Sequence, residues 1–490
     1  MEAATATATA TTPDPRRWKA LAVLGIAYLM VVLDVSIVNV ALPSIQTDLG
    51  FTPENLQWVV SGYALTFGGF LLLGGRMGDI LGRRRLFMIG LGLFLLTSLW
   101  AGLATSDTML IVARFAQGAA GAILAPSVFS IISVTFAEGA ERNKALGILG
   151  GIAGSGAAIG VLLGGVLTSY ISWEWIFFVN LPIAAVAMAL VPRYVRESRA
   201  DGLARHFDVW GAVTVTASLM LLVYGLTQST NNGWSSWKTI GSLVASGVIM
   251  AIFLAIEVRS HSPLVRLGIF RKRTLTGANI VGLLLGTMIF GIFFMLSLYM
   301  QQVLGFTAMR TGVGYLAVAL TAVVSAGVSQ ALVTKLGVKP VLTTGMVLLG
   351  SGMIYFTQIS PAGSYMADLL PGFLLIGVGM GFSFVPISIA ALAGVDGREA
   401  GLASGLINTT QQIGGALGLA ILATVATTRT ENLTPAGQQP TAEALTSGFS
   451  LAFWFAAGFA LVSLVTTLVV LRRKDLAVPS VDAPPVPAAV

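Results

Sequence analysis

Two charges stand inside runs that are otherwise apolar. Asp34 follows Leu29-Met30-Val31-Val32-Leu33, and Arg114 follows Met109-Leu110-Ile111-Val112-Ala113. A charged side chain at the centre of a membrane helix costs about 2.5 to 3.5 kcal/mol on insertion scales, so packing rarely explains it. A carboxyl at that depth can load a proton and release it as water access changes. A static ion pair is the alternative. The helix carrying Arg114 starts near residue 108, which sets Arg114 about 9 Å below that surface at a helical rise of 1.5 Å. The helix carrying Asp34 ends near residue 42, which sets Asp34 about 12 Å below the same surface. The depths agree within one turn, and a charge buried that far needs a partner. The pair is expected to meet directly or through water, unless Arg114 holds only backbone carbonyls and Gln117.

Such charges need a membrane around them, and composition supplies one. The chain has 490 residues, of which 55% are hydrophobic and 10% charged, and its mean hydropathy is +0.85. A soluble domain carries about 25% charged residues. There is no cysteine, which excludes a disulfide scaffold, a thiolate metal site and a cysteine nucleophile. His206 and His261 sit in polar, arginine-containing stretches and read as loop residues, not metal ligands. No metal or cofactor is expected.

Fourteen apolar segments are long enough to span, centred near residues 30, 66, 96, 122, 157, 184, 218, 248, 289, 321, 348, 380, 412 and 460. Residues 1 to 15 form a polar Ala/Thr stretch, and the first apolar run reads as a membrane helix without a cleavage-type ending. Of the 28 Lys and Arg, 24 fall in alternate connections and the tails; Lys238, Arg310 and Arg429 fall in the other set, and Arg114 within a helix. This asymmetry is the positive-inside pattern and predicts cytoplasmic termini. The net charge of +7 is therefore a topology signal, and no nucleic-acid partner is expected.

The chain repeats at an offset of 255. Leu81-Gly82-Arg83-Arg84 with Gly90 matches Leu336-Gly337-Val338-Lys339 with Gly345, and Gly160 matches Gly415. The organisation this predicts is a tail over 1–17, a six-helix bundle over 18–196, an inserted helix pair over 207–258, a second six-helix bundle over 274–472 and a tail over 473–490. Two parallel repeats around a midplane cavity are one transporter layout.

Between the second and third segments lies Gly75-Arg-Met-Gly-Asp79-Ile-Leu-Gly82-Arg83-Arg84-Arg85. Spaced glycines let helix ends approach, and Asp79 can pair with an arginine or cap a helix. The segment resembles the G-x-L-x-D-x-x-G-R-[RK] signature of the major facilitator superfamily, with Met77 in the leucine position. Leu33-Asp34-Val-Ser-Ile-Val-Asn39-Val-Ala-Leu-Pro43 resembles the first-helix motif of its fourteen-helix drug:proton antiporters, the quaternary-ammonium and multidrug exporters. Arg114-Phe-Ala-Gln117-Gly118 is similar to the fourth-helix motif. Gly151-Ile-Ala-Gly154-Ser-Gly156-Ala-Ala-Ile-Gly160-Val161-Leu-Leu-Gly164-Gly165 is similar to the exporter fifth-helix motif, with Val161 in place of its proline. The family's Trp-Arg-Trp is Trp173-Glu174-Trp175 here.

The resemblance implies an all-α membrane protein, two six-helix bundles plus two inserted helices, rocking around a central site. It implies a multi-pass protein of the bacterial inner membrane that exchanges protons for small lipophilic molecules, acting as a monomer with the proton gradient as its only energy source. Asp34 and Arg114 would couple protons; Gly75, Asp79, Gly82, Arg83 and Arg84 would govern the conformational change. Gly154, Gly156, Gly160, Gly164 and Gly165 would pack the exporter helix, either statically or as part of the rocking motion. Asn39, Gln117, Asn408, Gln411 and Gln412 are candidate cavity groups, with Phe290, Phe293, Phe294 and Tyr299 as apolar walls.

Two other classes compete with this one. A proton-coupled importer or uniporter of a polar nutrient needs several polar groups inside the helices, and only Asp34 and Arg114 qualify clearly. A membrane-embedded enzyme needs a His, Cys or multi-carboxylate cluster at depth, which the sequence lacks. The glycines around Ser155 partly mimic a dinucleotide fingerprint, but no strand precedes them. No Walker A sequence occurs, so ATP is not the expected energy source.

Overall fold

The computed structural model describes residues 16–136, 140–199, 208–260, 263–265, 267–393, 400–435 and 437–471. Most of both predicted tails, and the connections carrying Arg205, His206, His261, Arg266 and Arg398, lie outside the described residues. So do Arg472, Arg473 and Lys474.

Fourteen long helices account for the apolar segments, and no strand occurs among the described residues. They are α1 Arg17–Leu49, α2 Trp58–Leu81, α3 Arg83–Gly102, α4 Asp107–Thr135, α5 Ala140–Tyr170 and α6 Asn180–Tyr194. Then come the inserted α7 Val209–Asn232 and α8 Trp237–Arg259. The rest are α9 Arg273–Leu298, α10 Ala308–Leu336, α11 Val338–Phe356, α12 Leu370–Leu392, α13 Ala400–Leu433 and α14 Ala442–Val469. Among the described residues 13 candidate spans can cross a membrane by length and composition, and α5 fills the remaining position with its apolar stretch Ala158–Tyr170. Leu96, Val324 and Leu461 are about three-fifths exposed or more on outward faces, as acyl chains require and water would not.

Helix ends follow from local chemistry. Ser106, Ser236, Thr307 and Thr441 each accept a backbone N–H at a helix start, satisfying one of its orphan donors. Gly82 and Gly337 end α2 and α10 with φ of 107° and 85°, a left-handed region that side chains avoid. They occupy matching positions in the internal repeat.

In the first half α1 packs on α5 and α6, and α4 packs on α2 and α3. In the second, α9 packs on α13 and α14, and α12 on α10 and α11. Of the inserted pair, α8 packs on α7, and α7 lies against α2 and α13, where Gln57 Nε2 donates to Thr227 Oγ1 at 3.0 Å and Thr424 Oγ1 donates to Leu226 O at 3.3 Å. Away from the termini the halves meet. Gln301 Nε2 donates to Val40 O at 2.9 Å, Gln302 Nε2 to Gln46 Oε1 at 2.8 Å, and Met309 N to Ser169 Oγ at 2.9 Å.

Candidate functional site

Five helices of the first half converge on one carboxylate. Asp34 of α1 is fully buried, and Arg114 of α4 is 1% exposed. Arg114 Nη1 lies 2.6 Å from Asp34 Oδ2, a direct ion pair. Gln117, one turn along the same face of α4, donates from Nε2 to Asp34 Oδ1 at 2.7 Å and accepts from Arg114 Nη1 at 2.6 Å. Asn180, the first residue of α6, donates to the same Oδ1 at 3.0 Å. Ser98 of α3 accepts from Gln117 at 2.9 Å and from Asn180 at 3.3 Å. The guanidinium also donates from Nε to Val59 O of α2 at 2.9 Å, and it lies over the Tyr63 ring at 4.4 Å and the Phe177 ring at 5.7 Å.

This arrangement accounts for two charges in a low-dielectric interior. Three donors hold the carboxylate, and the guanidinium bonds a carboxylate, an amide and a carbonyl while facing aromatic π-clouds. Tyr63 Oη and Asn180 Oδ1 are buried beside the cage without hydrogen-bond partners. Asn180 and Ser98 escaped the sequence reading. An asparagine at a helix start reads as a cap, and a serine in a helix bonds its own backbone. The one available signal was Asn180 as the sole polar residue in Trp175–Ala185.

The exporter-helix glycines act on the helix that carries Asp34. A Cβ at Gly156 would lie 2.9 Å from Val32, at Gly160 1.9 Å from Ser36 Oγ, and at Gly164 2.7 Å from Ile37 O. Only bare backbone lets α5 seat this closely on α1. Gly165 instead faces Ala308 O of α10 in the other half, at 2.9 Å from its would-be Cβ. The surroundings of Gly154 lie outside the described residues. With Val161 in place of proline, α5 runs through that position as continuous helix.

At the end of the bundle that holds the termini, the segment from Gly75 to Arg85 forms a second cluster. Gly75 faces Pro126 of α4, and Arg83 Nε donates to Ser130 Oγ at 2.6 Å. Glu197, in the strap after α6, accepts from the backbone N–H groups of Arg84 and Arg85, both at 3.1 Å. Arg84 Nη1 donates to Val195 O at 3.3 Å, and Arg83 N to Ser198 O at 3.0 Å. The side chain of Asp79 lies outside the described residues. Glu197 was not singled out from the sequence, because one glutamate among four arginines reads as a solvated strap.

The cavity candidates scatter. Of them only Gln117 joins the cage. Asn39 turns its amide back onto Val35 O at 3.0 Å, and Asn408 is exposed with its amide on Ser404 O at 2.9 Å. Gln411 packs against Gly282 and Gly286 of α9, and Gln412 against Gly68 of α2. Phe290 and Phe293 are half-buried, whereas Phe294 and Tyr299 are core residues, Tyr299 Oη donating to Ser360 O at 2.7 Å. At the far end Asp48, Trp173, Glu174 and Gln301 line an open hollow of about 670 Å³, in which Trp173 Nε1 donates to Asp48 at 2.8 Å. Among the described residues no group of three His, Cys, Asp or Glu could hold a metal.

Known proteins place this architecture. The puromycin resistance protein pur8 of Streptomyces alboniger is 37% identical over 94% of this chain and 93% of its own length. The cephamycin export protein CmcT of Amycolatopsis lactamdurans is 39% identical over 86% of this chain and 85% of its own. The crystal structure of the peptide transporter POT in complex with sulfate superposes with a TM-score of 0.67 at 16% identity, covering 94% of this chain and 96% of that one, a likeness of fold. Residues 24–419 match the model of the Major Facilitator Superfamily, and with fourteen long helices in this arrangement, thirteen of them candidate spans among the described residues, the chain belongs to that superfamily as a multi-pass membrane transporter.

Proposed function

We propose that this protein exports small lipophilic compounds, cationic or neutral, antibiotics among them, in exchange for protons. Asp34 is the proton carrier. The observation that carries this reading is the cage: the one fully buried carboxylate among the described residues, whose oxygens face donors from α4 and α6.

A proton arriving on Oδ1 would meet the N–H groups of Gln117 and Asn180, and one arriving on Oδ2 would meet Arg114. An ionised carboxylate only accepts, whereas the acid must also donate. Protonation removes the charge that holds Arg114 and adds an O–H that must donate, which weakens the cage and loosens α1 from α4 or α6. Because α5 is seated on α1 by glycines and touches α10 through Gly165, a shift of α1 carries to the other half. Proton occupancy is linked in this way to which end of the bundle is open. Each charge moved down the potential supplies about 2.3 kcal/mol per 100 mV, and a tenfold substrate gradient requires about 1.4 kcal/mol. One proton per cycle sustains that gradient without ATP or any bound cofactor.

The relatives named for resistance and export support outward transport. The alternate placing of basic residues supports cytoplasmic termini in the inner membrane. The test is purified protein in liposomes with an imposed pH gradient and a lipophilic cationic dye. Dye movement against its gradient, abolished by a protonophore, is expected. Movement of a sugar down its gradient, with no proton exchange for any lipophilic compound, would point to an importer or uniporter instead.

A further inference from the structure

Besides Glu54, two more carboxyl groups among the described residues are buried outside the cage. Asp208 caps the start of α7, and Glu257 lies in the last turn of α8; they are 7% and 4% exposed. The inserted hairpin brings them together. Ser218 and Ser246 exchange hydrogen bonds across the two antiparallel helices, at 2.9 and 2.8 Å. That register, followed ten residues toward the terminal end, sets Asp208 opposite Ile256, beside Glu257.

Each carboxyl is half used. Asp208 Oδ1 accepts from Gly211 N at 2.7 Å, and Glu257 Oε2 accepts from Val265 N at 3.3 Å. Asp208 Oδ2 and Glu257 Oε1 are buried with no hydrogen-bond partner. Two like charges side by side repel, and a buried carboxylate oxygen that has lost its water is costly. One proton relieves both penalties, since it removes a charge and turns one orphan oxygen into an O–H. A divalent metal ion would need about six oxygen ligands, and no third acidic group joins the pair among the described residues.

We propose that Asp208 and Glu257 form a second protonation site, holding one proton between them, at the root of the inserted helix pair. The site goes beyond the Asp34 reading and does not depend on it. Its position gives it leverage. Glu257 grips Val265, and Pro263 O, two residues earlier, faces Nη1 of Arg76 at 3.5 Å. Arg76 belongs to the end of α2 that carries Gly75 to Gly82, so proton loss at the pair is relayed to that segment. The described charged groups that follow Glu257 in the chain are Arg259 on α8 and Arg271, Lys272 and Arg273 at the entry to α9. Arg205, His206, His261 and Arg266 flank the pair in sequence, outside the described residues.

Infrared difference spectroscopy on the full-length protein in lipid, stepped from alkaline to acid pH, tests the site without requiring transport. A protonated-carboxyl band that shifts in heavy water should persist at neutral pH in the parent and in Asp34→Asn. It should be lost in both Glu257→Gln and Asp208→Asn. If Glu257→Gln does not fold, Asp208→Asn alone decides, since its amide oxygen still accepts from Gly211 N. An unchanged band in a folded variant overturns the proposal, and so does a band in the parent that sodium or potassium ions displace.

Discussion

The two halves of the bundle share a backbone plan but not an interior. Gly118 of α4 packs on Thr66 and Tyr63 O of α2, and Gly377 of α12 packs on Thr321 and Val318 O of α10 in the same way. With those contacts aligned, the cage positions Asp34, Ser98, Arg114 and Gln117 correspond to Ile289, Met353, Phe373 and Ile376. Where Arg114 bonds Val59 O, the second half has Tyr365 Oη on Gly314 O at 2.8 Å. Where the guanidinium lies over Tyr63, Phe373 lies among the rings of Tyr315, Phe356 and Tyr365 at 5.5 to 6.1 Å. One half keeps an ion pair at a site the other fills with dry aromatic packing. The fold does not need the charges there, as the proposed coupling role requires.

The largest effect should come from changing the charged side of this comparison. Asp34→Asn keeps size and hydrogen-bonding capacity but cannot titrate, so proton-driven efflux in liposomes should cease while substrate binding and protein level persist. Ile289→Asn, the matching change in the second half, should leave coupling intact. Equal loss in both would mean that the cage is only a packing device.

Next in size is loss of fold. Arg114→Ala strands a buried carboxylate, and breaking a buried pair costs about 3–5 kcal/mol. Phe373→Ala opens a cavity in the other half at a similar cost of about 3–5 kcal/mol. The two should differ in rescue. Adding Asp34→Asn to an Arg114→Gln background should restore thermal stability in detergent without proton coupling, whereas no polar change should repair Phe373→Ala. Recovery of proton-coupled efflux in the Asp34→Asn, Arg114→Gln double variant would remove Asp34 from the proton path.

How much of this was legible in the sequence depended on range. Fourteen spans could be read because an apolar run of about 20 residues has one use in a membrane. The contact between Asp34 and Arg114, though not its role, followed from depth arithmetic on two helices. The matching of the halves was only partly visible. An offset of 255 relates α1 to α9 and α5 to α13, but α4 corresponds to α12 at four residues more, so Arg114 and Phe373 do not align in a fixed-offset comparison. Asn180, Ser98 and Glu197 were missed because each reaches its partner across at least 19 residues of chain, and their types have commoner local uses.

A smaller effect separates the glycine seams. In the second half a Cβ at Gly414 would lie 1.9 Å from Leu283 O, a backbone atom that moves only if α9 and α13 separate. In the first half a Cβ at Gly160 would lie equally close to Ser36 Oγ, a side chain able to rotate. Overpacking of this kind costs about 1–3 kcal/mol. Gly414→Ala should fall in that range, and Gly160→Ala below it, with Ser36→Ala relieving the latter. Equal losses in thermal stability would show both seams to be equally rigid.

The smallest expected effect lies where the halves begin their third helices. After Gly82 the first N–H groups of α3 are satisfied by Glu197 from the strap behind α6. After Gly337, α11 starts with no side-chain cap, and Lys339 instead donates to Leu468 O at the end of α14, at 2.6 Å. Each half thus ties its third helix to its sixth, one through a carboxylate at a helix start and one through an ammonium at a helix end. Loss of a cap costs about 0.5–2 kcal/mol, and water can replace much of it because the Glu197 side chain is 29% exposed. A charge at a helix C-terminus contributes about 0.3–1 kcal/mol. Glu197→Ala should therefore speed hydrogen exchange at the amides of Arg84 and Arg85, and Lys339→Ala should leave the start of α11 unchanged. Glu197→Gln, which keeps one accepting oxygen, should fall between the parent and Glu197→Ala. Unchanged exchange at Arg84 and Arg85 in Glu197→Ala would show that the strap is held by Arg84 and Ser198 alone, leaving the two halves alike at this joint.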